Sequence, residues 1–180
     1  LGSPTWPGNQ GGTNWYPPSF SPRTGLFYVT AWEDYATIYR KETTTYEPGK
    51  PFYGGGFTVL APNPAAPTPG IGRKGPINNW TSEVGRGTVM ALDPQSGKAR
   101  WKFEQFDVSD GGMLTTATDL LFTGGREGYF LALDARTGAL LWKINLGGQI
   151  VMAPVTFQLD GKQYVSVISG HTLMTFGLRD

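Results

Sequence analysis

The hydrophobic and polar positions of the chain predict short strands joined by turns. From residue 86 onward, short apolar runs are bounded by Gly, Asp, Ser or Thr, and no segment has the period of a helix. This pattern predicts strands throughout the second half of the chain. They are 88–92, 99–105, 113–117, 120–123, 129–133, 140–145, 152–158, 163–168 and 172–177.

The first half has a less regular pattern. Residues 15–20 and 26–32 are predicted to be two strands around the turn 21–25, and residues 36–46 one further strand pair. Residues 48–81 are rich in Pro and Gly and are predicted to be irregular. A segment of this length is either a functional loop packed on a partner surface or a poorly ordered insertion.

An internal repeat is the strongest signal for the fold. Residues 87–102 read GTVMALDPQSGKARWK and residues 128–143 read GYFLALDARTGALLWK, and their tryptophans, Trp101 and Trp142, are 41 residues apart. A period near 40 residues is typical of β-propeller blades. Within each repeat, Asp accepts backbone N–H groups of a turn, Gly supplies a positive φ, and Trp packs against a neighbouring blade. The repeat therefore predicts an all-β propeller.

Composition excludes several kinds of function. The net charge of +1 predicts no binding to nucleic acid or to an anionic membrane. The chain has no Cys and one His, which excludes disulfides, thiolate chemistry and a metal site made of several His or Cys residues. No apolar run is long enough for a transmembrane segment. The first residues have no features of a signal peptide, and we expect the chain to be part of a longer polypeptide.

Three segments carry a resemblance to one family. Residues 11–29, GGTNWYPPSFSPRTGLFYV, resemble the Gly-Gly-x-Asn-Trp signature of alcohol dehydrogenases that depend on pyrroloquinoline quinone (PQQ). The Ala-Leu-Asp-x-x-Thr-Gly-x-x-x-Trp units resemble the tryptophan-docking motif of these quinoproteins, and residues 160–165 with 169–178 resemble their last blade and closing strand. The resemblance implies an eight-bladed propeller, of which this chain is a C-terminal portion that packs against upstream blades.

The resemblance also divides the chain. Residues 1–47 are a partial blade with the Gly-Gly-Thr-Asn-Trp segment, residues 48–85 are a long Pro/Gly-rich insertion, and residues 86–180 hold two or more blades including the closing strand.

The function implied by the resemblance is alcohol oxidation. Such enzymes oxidise primary alcohols, or related alcohols and sugars, with PQQ and a Ca²⁺ or lanthanide ion, and pass electrons to cytochrome c or a quinone-type acceptor, often in the periplasm. Their catalytic aspartate and most metal ligands lie upstream, so no catalytic or metal-ligating residue is assigned here and this segment alone is expected to be inactive. The alternative is a non-catalytic propeller of the same repeats, such as the scaffold lipoprotein of outer-membrane protein assembly. The Gly-Gly-Thr-Asn-Trp segment favours the enzyme.

Four residues are the candidates for binding the cofactor. An amide such as that of Asn14 can donate to a quinone carbonyl or carboxylate, and the indole N–H of Trp15 adds a second donor. Their alternative interpretation is an Asn turn followed by a core Trp. Many relatives have Trp or Asn before a Gly pair near the cofactor, and here Asp110 precedes Gly111. A carboxylate beside a polyanionic cofactor needs a cation or metal, unless the segment is an exposed loop.

The remaining conspicuous side chains are interpreted as structural or as dispersed surface charge. Arg126 and Glu127 are expected in a solvated turn, although residues 122–127 could instead form one wall of the pocket. His171 is expected to be structural. No role is assigned to Glu33 or Asp34, and the Arg73-Lys74 pair could dock an acidic cytochrome but is interpreted as surface charge.

Overall fold

The computed structural model of the chain describes residues 3–5, 7, 11–33, 37–41, 43, 45–50, 52, 55–59, 86–105 and 109–178. Within these ranges every regular element is a β-strand, and no helix there is long and apolar enough to cross a membrane. The strands are β1 (Ser3–Thr5), β2 (Ser19–Ser21), β3 (Leu26–Glu33), β4 (Thr37–Lys41), β5 (Gly55–Val59), β6 (Arg86–Leu92), β7 (Ala99–Gln105), β8 (Leu114–Thr115), β9 (Leu120–Gly124), β10 (Tyr129–Asp134), β11 (Leu140–Asn145), β12 (Val155–Leu159), β13 (Lys162–Ser169) and β14 (Thr172–Gly177).

The strands form four antiparallel sheets. Sheet 1 has the order β2-β3-β6-β7, sheet 2 has the order β11-β10-β9-β8, and sheet 3 has the order β12-β13-β14. A small sheet has the order β1-β4-β5. Sheets 2 and 3 are meanders, in which each strand pairs with the next one along the chain, as in a propeller blade. The all-β propeller prediction is thereby confirmed at the level of the blades.

Every strand predicted after residue 86 is present. The bounds differ by a few residues: the strand predicted at 152–158 begins only at Val155, and of 113–117 only Leu114–Thr115 is a strand. In the first half, β2 and β3 pair around the predicted turn, but residues 15–18 are irregular. The strand pair predicted within 36–46 is wrong for the described residues. There β4 is a single strand, and its partners are β1 and β5.

Sheet 1 is assembled from both sides of the long middle segment. The chain leaves this sheet at Glu33 and returns at Arg86, and these two residues face each other at the end of the β3–β6 ladder. Strand β5 lies within the segment that was predicted to be irregular, and residues 60–85, with Arg73 and Lys74, lie outside the described residues. One blade thus contains strands that are more than fifty residues apart in the sequence.

Strand β10 lies at the centre of the core because both of its faces are buried. One face belongs to a cluster between sheets 1 and 2, whose buried members are Leu26, Tyr28, Val89, Ala91, Met113, Leu121, Leu131, Leu133 and Ala135. On the other face, Phe130 packs with Ile150, which lies in the segment that leads into sheet 3, and with Val167, which lies in sheet 3 itself. This explains the near-continuous apolar sequence of β10.

The repeated tryptophans have the packing role predicted for them. The indole Nε1 of Trp101 donates to the carbonyl oxygen of Ala135 at 3.0 Å, and the hydroxyl of Tyr28 donates to the same oxygen at 2.8 Å. Trp142 makes edge contacts with Phe130 and Phe176 at ring-centroid distances of 5.9 and 5.8 Å. Each Trp therefore joins its own sheet to the following one.

Candidate functional site

The segment that contains Asn14 and Trp15 is fixed at one edge of sheets 1 and 2. The carbonyl oxygen of Gly12 accepts the backbone N–H of Trp32 at 2.8 Å, and that of Pro17 accepts the N–H of Met113 at 2.9 Å. Since Trp32 lies near the end of β3 and Met113 just before β8, the segment bridges the two sheets. Its position is set by backbone hydrogen bonds to both sheets.

Asn14 and Trp15 differ in exposure from the residue that follows them. The side-chain oxygen of Asn14 accepts the backbone N–H of Trp15 at 2.8 Å, which orients the amide. The Trp15 side chain is exposed, with 63% of its surface accessible, and its ring lies 4.7 Å from that of Tyr16. Tyr16 is buried and packs against Trp32 at 6.1 Å. The alternative of a core Trp at position 15 is therefore wrong, and the buried aromatic of this segment is Tyr16.

Residues 109–112 form the second part of the site. The indole of Trp32 donates to the carbonyl oxygen of Ser109 at 2.5 Å, and the hydroxyl of Thr30 donates to that of Gly111 at 2.6 Å. A Cβ on Gly111 would lie 2.0 Å from the carbonyl oxygen of Gly124, so no other residue fits here without moving backbone. Gly111 thus acts by allowing two segments of sheet 2 to approach each other closely.

Asp110 forms a buried ion pair with Arg126. The Arg126 Nε donates to Asp110 Oδ2 at 2.5 Å, and a terminal nitrogen of the same guanidinium contacts the same oxygen. The side chains are only 4% and 5% exposed. Asp110 thus has a cation beside it, and the interpretation of Arg126 as part of a solvated turn is wrong. Arg126 is the compensating cation.

The carboxylate of Asp110 also affects the pKa of Tyr16. Burial and then the negative charge of Asp110 raise the pKa of the Tyr16 hydroxyl, and the positive charge of Arg126 opposes this in part. The phenol is therefore neutral at physiological pH. Through Tyr16 and Trp32, the structure brings the segment of Asn14 and Trp15 close to the segment of Asp110 and Gly111.

Two polar atoms at this site have no partner among the described residues. They are Asp110 Oδ1 and the hydroxyl oxygen of Ser109, and both are buried. A buried polar atom without a hydrogen bond costs about 1–3 kcal/mol. Such atoms next to an exposed Trp and an oriented amide are suited to receive donors from a ligand or from bound water.

A cavity of about 120 Å³ lies beside the site, between the edges of sheets 1 and 2. Gly125 and Glu127 line it, together with Gln105 and Tyr129. A cavity of this size is too small for a cofactor-sized ligand, since such pockets typically enclose about 300 Å³ or more. The cavity is therefore not the cofactor pocket.

The other candidates lie away from the site or outside the described residues. Glu33 accepts from the Thr88 hydroxyl at 3.1 Å and from Lys102 Nζ at 2.5 Å, and it is a structural link in sheet 1. His171 is exposed in the turn between β13 and β14, and Asp34 lies outside the described residues. No group of three or more His, Asp or Glu residues that could hold a metal ion occurs in the described ranges.

Sequence reasoning missed Tyr16 and Arg126. Tyr16 directly follows the Asn-Trp pair, so its position was a signal that could have been used. Arg126 is 16 residues from Asp110, and only the closeness of the β9–β10 turn to residues 109–112 brings the two together. The sequence Gly-Gly-Arg does not by itself indicate that the Arg pairs with a distant carboxylate.

Comparison with known proteins identifies the family of the chain. The family model described as "Outer membrane protein assembly factor BamB" matches residues 85–177, just over half of the chain. The quinoprotein alcohol dehydrogenase PedH of Pseudomonas putida is 38% identical over 160 residues, which are 89% of this chain and 24% of PedH.

Solved structures agree with the sequence comparison. The quinohemoprotein alcohol dehydrogenase from Comamonas testosteroni matches 93% of this chain with a TM-score of 0.68 and 32% identity, and 24% of its own chain is covered. A europium-containing methanol dehydrogenase matches 92% with a TM-score of 0.69 and 31% identity, and 26% of it is covered. The chain spans about a quarter of the length of the relatives it matches.

Proposed function

The chain belongs to the PQQ_2 family, outer membrane protein assembly factor BamB, and we propose that it forms the quinone-binding end of an enzyme that oxidises primary alcohols or related substrates. Its similarity to about a quarter of several quinoprotein alcohol dehydrogenases supports this proposal. The observation that carries this proposal is that Tyr16, which follows Asn14 and Trp15, packs on Trp32, whose indole donates to the carbonyl oxygen of Ser109 next to Asp110. A propeller that only serves as a scaffold has no chemical need for this arrangement.

The residues present fit a planar, polyanionic quinone. Trp15 offers an exposed indole, and Asn14 an amide whose orientation is fixed by the Trp15 backbone N–H. Asp110 does not present a bare negative charge, since Arg126 pairs with it. The unpartnered Asp110 Oδ1 and Ser109 hydroxyl add positions where a ligand donor or a bridging water is needed.

When bound, PQQ would supply the two-electron oxidation chemistry, and a Ca²⁺ or lanthanide ion would polarise it. In this assignment Asn14, Trp15, Asp110 and Gly111 bind and orient the cofactor, and upstream blades supply the catalytic base and the metal ligands. A europium-containing enzyme among the similar structures supports the inclusion of lanthanides. Cytochrome c or a quinone-type acceptor takes the electrons, and the periplasm is the proposed location.

The experiment is a titration of the full-length native polypeptide with PQQ, in the presence of Ca²⁺ or La³⁺, followed by quenching of Trp fluorescence. We expect saturable quenching with at least one of the two metals. Asn14→Asp keeps the oxygen that accepts the Trp15 N–H but loses the amide donor and adds a negative charge. We expect it to weaken PQQ binding about tenfold or more.

Gln158→Ala is the matched control. Gln158 is an exposed amide in β12 of sheet 3, and its loss should leave PQQ binding unchanged. Without saturable quenching of the unmodified protein by PQQ and either metal, the enzyme proposal fails. The scaffold alternative, which the description of the family model favours, would then take its place.

A further inference from the structure

The Asp110–Arg126 pair is the most deeply buried ion pair between described side chains, and the resemblance assigns no role to Arg126. Both of its side chains are less than a tenth exposed, whereas in the Arg23–Asp119 and Lys102–Glu33 pairs at least one side chain is 45% exposed or more. Both contacts from Arg126 go to Oδ2, and neither of them involves Oδ1.

Electrostatics requires the two charges to be treated together. Removing a carboxylate from water costs several kcal/mol, and a buried ion pair is tolerated only where each charge compensates the other. As a pair, Asp110 and Arg126 add no net charge to the site. If either partner is removed, the other remains as an uncompensated charge that every nearby group and ligand experiences.

Tyr16 connects the pair to the segment that is proposed to hold the cofactor. Its ring lies between those of Trp15 and Trp32, and it is only 6% exposed. Burial is the first cause of the raised pKa of Tyr16, and Asp110 and Arg126 act on it with opposite signs. The charges of the pair therefore act on Tyr16, which is buried and directly follows Asn14 and Trp15 in the chain.

We propose that Arg126 is the counter-charge that allows an anionic ligand to bind beside Asp110, and that the two residues act there as one electrically neutral unit. The proposal deepens the proposed function, on which it rests, because PQQ with its carboxylates is the anion considered. It makes Arg126 a determinant of affinity that acts through Asp110 and needs no contact of its own with the ligand.

This inference predicts opposite effects for two neighbouring substitutions. Arg126→Met leaves a bare buried carboxylate that repels PQQ, and we expect its Kd to rise about tenfold to a hundredfold. Asp110→Asn leaves a bare cation, and we expect PQQ to bind more tightly, with a Kd lowered at least about threefold. The double variant has neither charge, and we expect its Kd to return to within about threefold of the unmodified value.

The test measures the Kd of PQQ by fluorescence quenching on the full-length native polypeptide, with whichever of Ca²⁺ or La³⁺ supports binding. Thermal unfolding of each variant is measured alongside, to show that it is folded. Arg126→Lys keeps the charge with different geometry and should lie between the unmodified protein and Arg126→Met. Arg136→Met is the control, because Arg136 is 63% exposed and pairs with Asp119 and Asp134 instead.

The outcomes separate three cases. The opposite effects of the two single variants and the recovery in the double variant would support the neutral unit. If all three variants weaken binding to a similar extent, or if none changes it, the pair has only a structural role and the inference is overturned. If the unmodified protein itself shows no saturable binding of PQQ, the proposed function fails, and the inference with it.

Discussion

The two tryptophan repeats have the same turn but different surroundings. In the first, Asp93 Oδ1 accepts the backbone N–H of Gln95 at 2.9 Å and of Ser96 at 3.2 Å. In the second, Asp134 Oδ1 accepts those of Arg136 and Thr137 at 2.8 and 3.1 Å. Each turn ends at a glycine with positive φ, Gly97 at 68° and Gly138 at 75°. A Cβ on Gly138 would meet the Trp101 ring at 2.6 Å, but one on Gly97 would meet nothing within 4 Å.

The tryptophans differ in the same way. Trp101 packs on the turn of the second repeat and hydrogen-bonds to Ala135. Among the described residues, Trp142 has Phe130 and Phe176 as ring partners, and it is 41% exposed. Sheet 3 has a tight hairpin at Asp160-Gly161 in place of a third Asp-x-x-Thr-Gly turn. Local sequence thus determines the turn, whereas the neighbouring sheet determines how strongly each Trp is held.

The largest effect is expected from the glycine on which Trp101 packs. Gly138→Ala forces a side chain into a left-handed backbone and against a rigid ring, and we expect a loss of about 3 kcal/mol in the free energy of unfolding. Gly97→Ala shares the positive φ but has open space around it, so we expect a loss of about 1 kcal/mol. Chemical denaturation of both variants gives the comparison. Equal losses would mean that the contact with Trp101 contributes nothing.

A smaller effect is expected from shortening the tryptophans themselves. Trp101→Phe removes the hydrogen bond to Ala135 and leaves space between sheets 1 and 2, with an expected cost of about 2 kcal/mol. Trp142→Phe keeps an aromatic ring at a half-exposed position and should cost about 1 kcal/mol or less. The measurement is again the denaturation midpoint, and a larger loss for Trp142→Phe than for Trp101→Phe would contradict the assigned difference.

The sequence was sufficient for features that depend on nearby residues. The Asp-x-x-Ser/Thr-Gly turns and the hairpins of sheets 2 and 3 are local, because their hydrogen bonds span a few residues and one turn. The repeat also predicted that Trp101 and Trp142 are packing residues. Pairing across a long connection was not predictable in this way, and the β3–β6 ladder is the example.

The candidate site shows the same limit more sharply. Asn14, Trp15, Asp110 and Gly111 were found from short motifs, and the structure brings the two segments together. Arg126 could not be paired with Asp110 from the sequence, since nothing in a Gly-Gly-Arg-Glu segment distinguishes a buried guanidinium from a solvated one. A carboxylate at an unusual position predicts that a counter-charge exists, but the fold decides which residue supplies it.

The smallest predicted effect concerns two carboxylates in turns, Asp119 and Asp93, whose pKa values are lowered by different groups. Hydrogen bonds from Arg23 lower the pKa of Asp119, although burial raises it, and the charges of Arg23 and Arg136 lower it further. In the first repeat, the backbone N–H of Ser96 and then that of Gln95 lower the pKa of Asp93. Each folded pKa lies below the ordinary 3.8, so each carboxylate stabilises the protein above that pH and loses this contribution as the pH falls through the folded value.

Asp119→Asn and Asp93→Asn should therefore lower the denaturation midpoint at pH 7, and this effect should disappear as the pH falls through the folded pKa of each carboxylate, which lies below 3.8. Salt distinguishes the two, because ion pairs with exposed arginines are screened at 1 M NaCl, whereas backbone hydrogen bonds are not. We expect the effect of Asp119→Asn at pH 7 to shrink in high salt and that of Asp93→Asn to persist. Asp119→Asn keeps the backbone carbonyl that accepts the N–H of Ala135 at 2.8 Å, so this contact is the same in both proteins. An effect of Asp119→Asn that is unchanged in 1 M NaCl would therefore contradict stabilisation by the charges of Arg23 and Arg136.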